Sequence, residues 1–118
     1  MIRYKLGCIY RITHQPTGYY YIGLTVDFAQ RISQHLTQLK IRKHSSKKLQ
    51  SLWDITSPEQ WIFEILEHIS KTNFKAICGL KGKSLDTSYR KHLLMREKAH
   101  MKVHSINYAL NADNKNFS

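Results

Sequence analysis

Two tyrosines eleven positions apart, Tyr10 and Tyr21, an arginine and a histidine four apart, Arg31 and His35, and a late glutamate, Glu97, are side chains of types that could act together on a phosphodiester. Hydrolysis of that bond asks for a metal on the phosphate oxygens, a cation against the pentavalent phosphorus, a base for the attacking water and a rigid frame. A residue type for each is present, and each has a plainer use. Tyrosines on strands are commonly core aromatics with a bonded hydroxyl. Arginine is most often a solvated charge, yet its planar, permanently charged fork matches the charge that develops on a phosphate. Glu97 stands in Arg96-Glu97-Lys98, which reads either as a surface ion-pair pattern or as a carboxylate offered to Mg2+, an ion that takes only one or two protein carboxylates. Glu64 and Glu67 are its rivals for that role.

The charge balance says which kind of partner to expect. Nineteen Lys and Arg against eight Asp and Glu give a formal net charge of +11, with a pI near 9.8. A surface of that sign attracts polyanions, and each neutralised phosphate releases condensed counterions. Two basic stretches are candidate DNA contacts: Lys40, Arg42, Lys43, Lys47 and Lys48, then Lys71, Lys75, Lys81 and Lys83. The two cysteines, Cys8 and Cys78, make neither a zinc site nor a disulfide framework, which fits a reducing compartment. No apolar run approaches the roughly 20 residues needed to span a bilayer, and the start carries no signal-peptide pattern. A soluble, cytoplasmic protein without membrane contact is expected.

The elements that must hold these residues follow from periodicity. At 118 residues the chain has one domain's worth of core, and 42% apolar content places it in the globular range. Residues 4–12 and 19–24 are strand-like runs about the turn-like Gln15-Pro16-Thr17-Gly18, which together read as an antiparallel hairpin. Asp27 precedes Phe28, Ile32, His35, Leu36 and Leu39, whose spacing predicts a helix over 28–40. Ser45 or Ser46 can cap a brief second helix carrying Leu49, Leu52 and Trp53, and 61–69 reads as a third strand. Residues 70–85 show no sustained period and read as a basic loop or partly ordered insertion. From Asp86, Tyr89, Leu93, Leu94, Glu97, Met101 and Val103 mark one face of a helix of about 16 residues. Residues 106–111 look ordered, and 112–118 are expected to fray. The expected fold is α+β, a small three-stranded antiparallel sheet flanked by helices in the order β-β-α-α-β-α, forming a single domain over residues 1–111.

Cys8-Ile9-Tyr10 followed by Tyr21-Ile22-Gly23, then Arg31 and His35 on one helix face, His44 opening the second helix, Glu97 and finally Asn111 resemble the GIY-YIG nuclease superfamily, and in particular the catalytic domain of its phage intron-encoded homing endonucleases. The resemblance spans about residues 4–111 and departs at Cys8, where the signature has glycine. It implies a metal-dependent DNA endonuclease that cuts by in-line attack of water with a single Mg2+ or Mn2+. Carried onto this chain, it gives Tyr10, Tyr21, Arg31, His35 and Glu97 catalytic parts, with Glu97 as metal ligand and Tyr10 acting on the nucleophilic water. His35 would donate to the phosphate or assist proton transfer. His44, Gly23 and Asn111 would support the site, the Asn111 amide orienting the frame or a phosphate. A monomer acting on DNA is expected. The alternative is a non-catalytic nucleic-acid-binding module on a degenerate form of the fold.

Overall fold

The computed structural model describes residues 5–104 and 106–111. Tyr4, expected to open the first strand, and the tail over 112–118 lie outside the described residues.

Strand β1 (Cys8–His14) and strand β2 (Tyr20–Thr25) form the expected hairpin, closed by His14 N–H donating to the Tyr19 carbonyl at 2.9 Å and Gly18 N–H donating to the His14 carbonyl at 2.8 Å. Both strands run somewhat later than their sequence limits. The reason for β1 is visible: the Leu6 carbonyl accepts from Phe28 N–H and the Gly7 carbonyl from Ile69 N–H. The segment before Cys8 is thus tied to flanking turns and not to a ladder. Strand β3 (Trp61–His68) pairs antiparallel with the far side of β1, so the sheet order is β2-β1-β3.

Side chains alternate across this sheet, and each face carries its own core. Cys8, Tyr10 and Ile12 pack with Leu39 of helix α1 (Phe28–Lys40) and Leu49 of helix α2 (Lys47–Asp54). Ile9, Tyr20 and Ile22 pack on the opposite face with Tyr89, Leu93 and Met101 of helix α4 (Gly82–Val103). Burying an aliphatic side chain such as Leu93 or Ile22 contributes about 1.5–3 kcal/mol each, which locks the helices to their faces. Helix α1 has the bounds expected from its spacing, with the Asp27 side chain accepting from Gln30 N–H at 3.2 Å. Ser46, the second of the two candidate caps, caps α2 by accepting from Leu49 N–H at 3.1 Å.

Residues 70–85 are not a loop. Lys71–Cys78 form helix α3, and α4 starts at Gly82 and runs 22 residues. Both ends of α3 are coded locally: Ser70 accepts from Asn73 N–H at 3.2 Å, and Gly79 ends the helix at φ 70°, a left-handed conformation that costs glycine little. The period is missing because α3 uses a single anchor. Phe74 packs on Tyr89 and stacks on His92 of α4, whereas Ile77 is 87% exposed. On α4 the buried stripe is Leu85, Tyr89, Leu93 and Met101; Leu94 and Val103, expected on it, are exposed.

Candidate active site

The hairpin register settles how the two tyrosines relate. Tyr10 lies opposite Gly23 and Tyr21 opposite Ile12, so both tyrosines project from the same face of the sheet. The Tyr10 ring lies across Gly23: a Cβ added there would stand 2.5 Å from Tyr10 Cζ and closer still to its hydroxyl. Glycine is required at this position because the tyrosine occupies the space of a side chain.

Behind Tyr10 runs a buried polar chain whose direction is fixed by the backbone. Ser46 N–H donates to His44 Nδ1 at 2.9 Å. An amide can only donate, so Nδ1 is bare and neutral His44 carries its proton on Nε2. That proton is given to His35 Nδ1, 2.7 Å away, which leaves the His35 proton on Nε2, 2.6 Å from the Tyr10 hydroxyl oxygen. Tyr10 therefore accepts from His35, and its own proton points elsewhere. Burial, with the Arg31 charge adding to it, holds both imidazoles neutral, pushing His44 below its usual range and His35 down to about 3. Burial likewise raises Tyr10 and Tyr21 above the usual phenol value, and Arg31 opposes this at both. Tyr21 packs its ring edge-on against His35 and His44.

The outer edge of β2 brings in the rest. Its backbone groups are met in turn by three later residues. Leu110 N–H donates to the Tyr20 carbonyl at 2.6 Å. The Asn111 amide accepts from Ile22 N–H at 3.2 Å and donates to the Ile22 carbonyl at 2.7 Å. The Glu97 carboxylate accepts from Leu24 N–H. Burial nonetheless raises Glu97 above the usual carboxylate range. Helix α4 covers the face opposite the tyrosines, and Glu97 reaches them round this edge.

The result is a cavity of about 370 Å³ whose walls include Tyr10, Tyr21, Arg31, Arg90, Leu94 and Glu97. Five of the expected residues are placed by it: Tyr10, Tyr21, Gly23, Arg31 and Glu97 line it. His35 does not; it is fully buried behind Tyr10, with both ring nitrogens engaged, so a donation to phosphate is not available to it. Asn111 is also buried with its amide committed to Ile22, which leaves it framing the site and not binding phosphate. The rival carboxylates are committed as well, Glu64 to Arg11 at 2.7 Å and Glu67 to Arg96 at 3.0 Å and His100 at 2.8 Å. Cys8, in the glycine position of the signature, is fully buried and its thiol is pushed up to about 11 by burial, which suits packing and not nucleophilic chemistry. Lys40, Arg42, Lys43, Lys47, Lys48, Lys71, Lys75, Lys81 and Lys83 are all exposed and none lines the cavity.

Two contributors were missed in the sequence. Arg90 stands seven residues before Glu97, two turns along the same helix face, a spacing that was there to be read. Ser46 was noted only as a cap, yet its N–H directs the histidine chain and its hydroxyl also donates to the Leu110 carbonyl.

A family model of the GIY-YIG catalytic domain matches residues 6–77. The chain belongs to the GIY-YIG family of nucleases. The matched stretch contains both signature strands and α1, while Glu97 and Asn111 lie beyond it. Among solved structures, the catalytic domain of the homing endonuclease I-TevI superposes with a TM-score of 0.67 at 24% identity, covering 92% of this chain and 99% of that one. A glutamate-to-alanine variant of the catalytic domain of the intron endonuclease I-TevI gives 0.68 at 24% identity, covering 92% and 95%. These likenesses carry the GIY-YIG fold through the part of the chain that the family model does not reach. A search of curated protein sequences finds no significant match.

Proposed function

We propose that this GIY-YIG domain is a metal-dependent DNA endonuclease of the homing-endonuclease kind, hydrolysing a phosphodiester by in-line attack of water. The observation that carries the reading is the single cavity into which β1, β2, α1 and α4 deliver Tyr10, Tyr21, Arg31 and Glu97.

Among the described residues no three His, Cys, Asp or Glu side chains converge. The donor set is one carboxylate, Glu97, in an open cavity, which fits Mg2+ or Mn2+ retaining most of their waters and does not fit a four-ligand zinc site. Held by Glu97, such an ion would supply positive charge to a phosphate oxygen and to the leaving oxygen. The Arg31 fork faces the same space and meets the negative charge that builds on phosphorus. Tyr10 acts on the water. Because His35 donates to the Tyr10 oxygen, the phenolate is the form that this bond favours, and the Tyr10 proton has to leave into the cavity and not toward the imidazole. His35 and His44 are thus positioning residues. Tyr21, whose hydroxyl accepts from Arg31 and which lines the same cavity, restricts where the phosphate can sit. The free thiols of Cys8 and Cys78 suit an intracellular setting.

The test is incubation of supercoiled plasmid with the full chain, with and without Mg2+. Nicked or linear product that depends on the metal and disappears in Glu97→Gln is the expected outcome. Duplex binding without any cutting, in parent and variant alike, would instead make the domain a binding module.

A further inference from the structure

We propose that the catalytic cavity continues into a second phosphate subsite centred on Arg90, which holds the cut strand within about three nucleotides of the scissile bond. The proposal rests on the nuclease reading above and adds to it the direction in which the DNA leaves the active site.

A neighbouring cavity of about 320 Å³ has Lys5, Val26, Lys71, Asp86, Tyr89 and Arg90 in its walls. Val26 and Arg90 also line the catalytic cavity, so the two adjoin and Arg90 stands at their junction. Three cations face one carboxylate there. That carboxylate, Asp86, pairs with Lys71 at 2.5 Å, but the two side chains are 50% and 63% exposed, and so open a pair contributes little and yields readily to a phosphate. No carboxylate among the described residues pairs with Arg90 or Lys5. An unpaired guanidinium at the mouth of a phosphodiesterase cavity has the geometry to take a phosphate through two parallel bonds.

The spacing sets the register. Arg90 precedes Glu97 by seven residues, which at 1.5 Å per residue is about 10 Å along α4. Phosphates of one B-form strand advance about 3.4 Å each along the axis and are farther apart through space, so the interval corresponds to at most about three of them. The path runs over Val26 toward the α3 side of the molecule. It leaves aside Lys40, Arg42, Lys43, Lys47 and Lys48, and also Lys75, Lys81 and Lys83, none of which lines either cavity.

The experiment measures binding of a fluorescent 30-base-pair duplex to the full chain, without divalent metal, across a salt series. Each lost phosphate contact lowers the slope of log affinity against log salt by about 0.9. Arg90→Gln and Lys5→Gln should each flatten the slope by about that amount, Arg90→Lys should keep it, and Lys83→Gln should match the parent. On an oligonucleotide whose cut position has been mapped, an uncharged methylphosphonate at one of the first roughly three phosphates to one side should raise KM in the parent, and that increment should vanish in Arg90→Gln. An unchanged slope in Arg90→Gln, in a parent protein that still nicks plasmid, overturns the subsite and leaves the nuclease reading standing. A parent that neither nicks plasmid nor binds duplex overturns both. Arg90 is exposed, and an unchanged thermal midpoint in Arg90→Gln excludes misfolding as the source of any loss.

Discussion

Acid should loosen this protein through one buried imidazole, and the size of the effect follows from its surroundings. His35 is fully buried, accepts from His44 at Nδ1 and donates to Tyr10 from Nε2. A second proton on Nδ1 would face the His44 proton head-on, and His44 cannot turn its proton round because Ser46 N–H occupies its other nitrogen. Unfolded, His35 takes its proton near 6.5; folded, only near 3. Between those values the unfolded chain holds more protons, so stability falls as pH falls and is fully present only above the unfolded value. At about 1.4 kcal/mol per unit, going from pH 6.5 to 4.5 removes on the order of 2–3 kcal/mol through His35 alone. That is a large part of a typical total of about 5–15 kcal/mol. Urea unfolding of the parent and of His35→Gln at pH 7.0 and pH 4.5 isolates the term, since the variant should lose about 2–3 kcal/mol less than the parent over the interval. Proton NMR of the parent provides a second reading, in which the His35 ring resonances must stay unshifted down to pH 5. Equal acid losses in parent and variant, or a His35 midpoint near 6, would refute the backbone-directed chain.

Arg31→Lys keeps the charge but loses the fork, and should slow plasmid nicking by about 10²-fold, the scale of removing one preorganised donor; near-parental rates would remove Arg31 from the mechanism. Tyr10→Phe should both slow cleavage and alter how its rate varies with pH, and a slow variant with the parent's pH profile would reduce Tyr10 to orienting the substrate. Gly23→Ala must displace the buried Tyr10 ring, costing about 1–3 kcal/mol in chemical unfolding and most of the activity; a stable, active variant would show that the ring does not need that space. Ser46→Ala removes both the α2 cap and the donor to the buried Leu110 carbonyl, for a loss of about 2–4 kcal/mol measured in the same way, with the His44 partner N–H retained.

Much of this protein was legible where the signal is local. The bounds of α1 follow from Asp27 and the spacing through Leu39, and the hairpin from two β-rich runs about Pro16 and Gly18. Tyr10, Tyr21, Arg31 and Glu97 were identifiable because family spacing is written along the chain, and the structure brings all four to one cavity. Helix α3 was lost because a single anchor, Phe74, carries no period, although Ser70 and Gly79 mark its ends. What the sequence by itself determined, then, was which periodic or β-rich segments are helices or strands and which side chains are chemically able. The tertiary structure alone decided which way they face. Whether Glu97 or Glu67 is free depends on Arg96 and His100, which claim Glu67 across about 30 residues of chain. Whether His35 gives or takes a proton depends on the Ser46 amide at the start of another helix. Asn111 is a frame residue because β2 is an edge strand with Ile22 unpaired on that side, a fact about sheet order and not about asparagine. Local periodicity encodes burial. The direction of a hydrogen bond and the availability of a charge are set by partners that only folding brings within 3 Å.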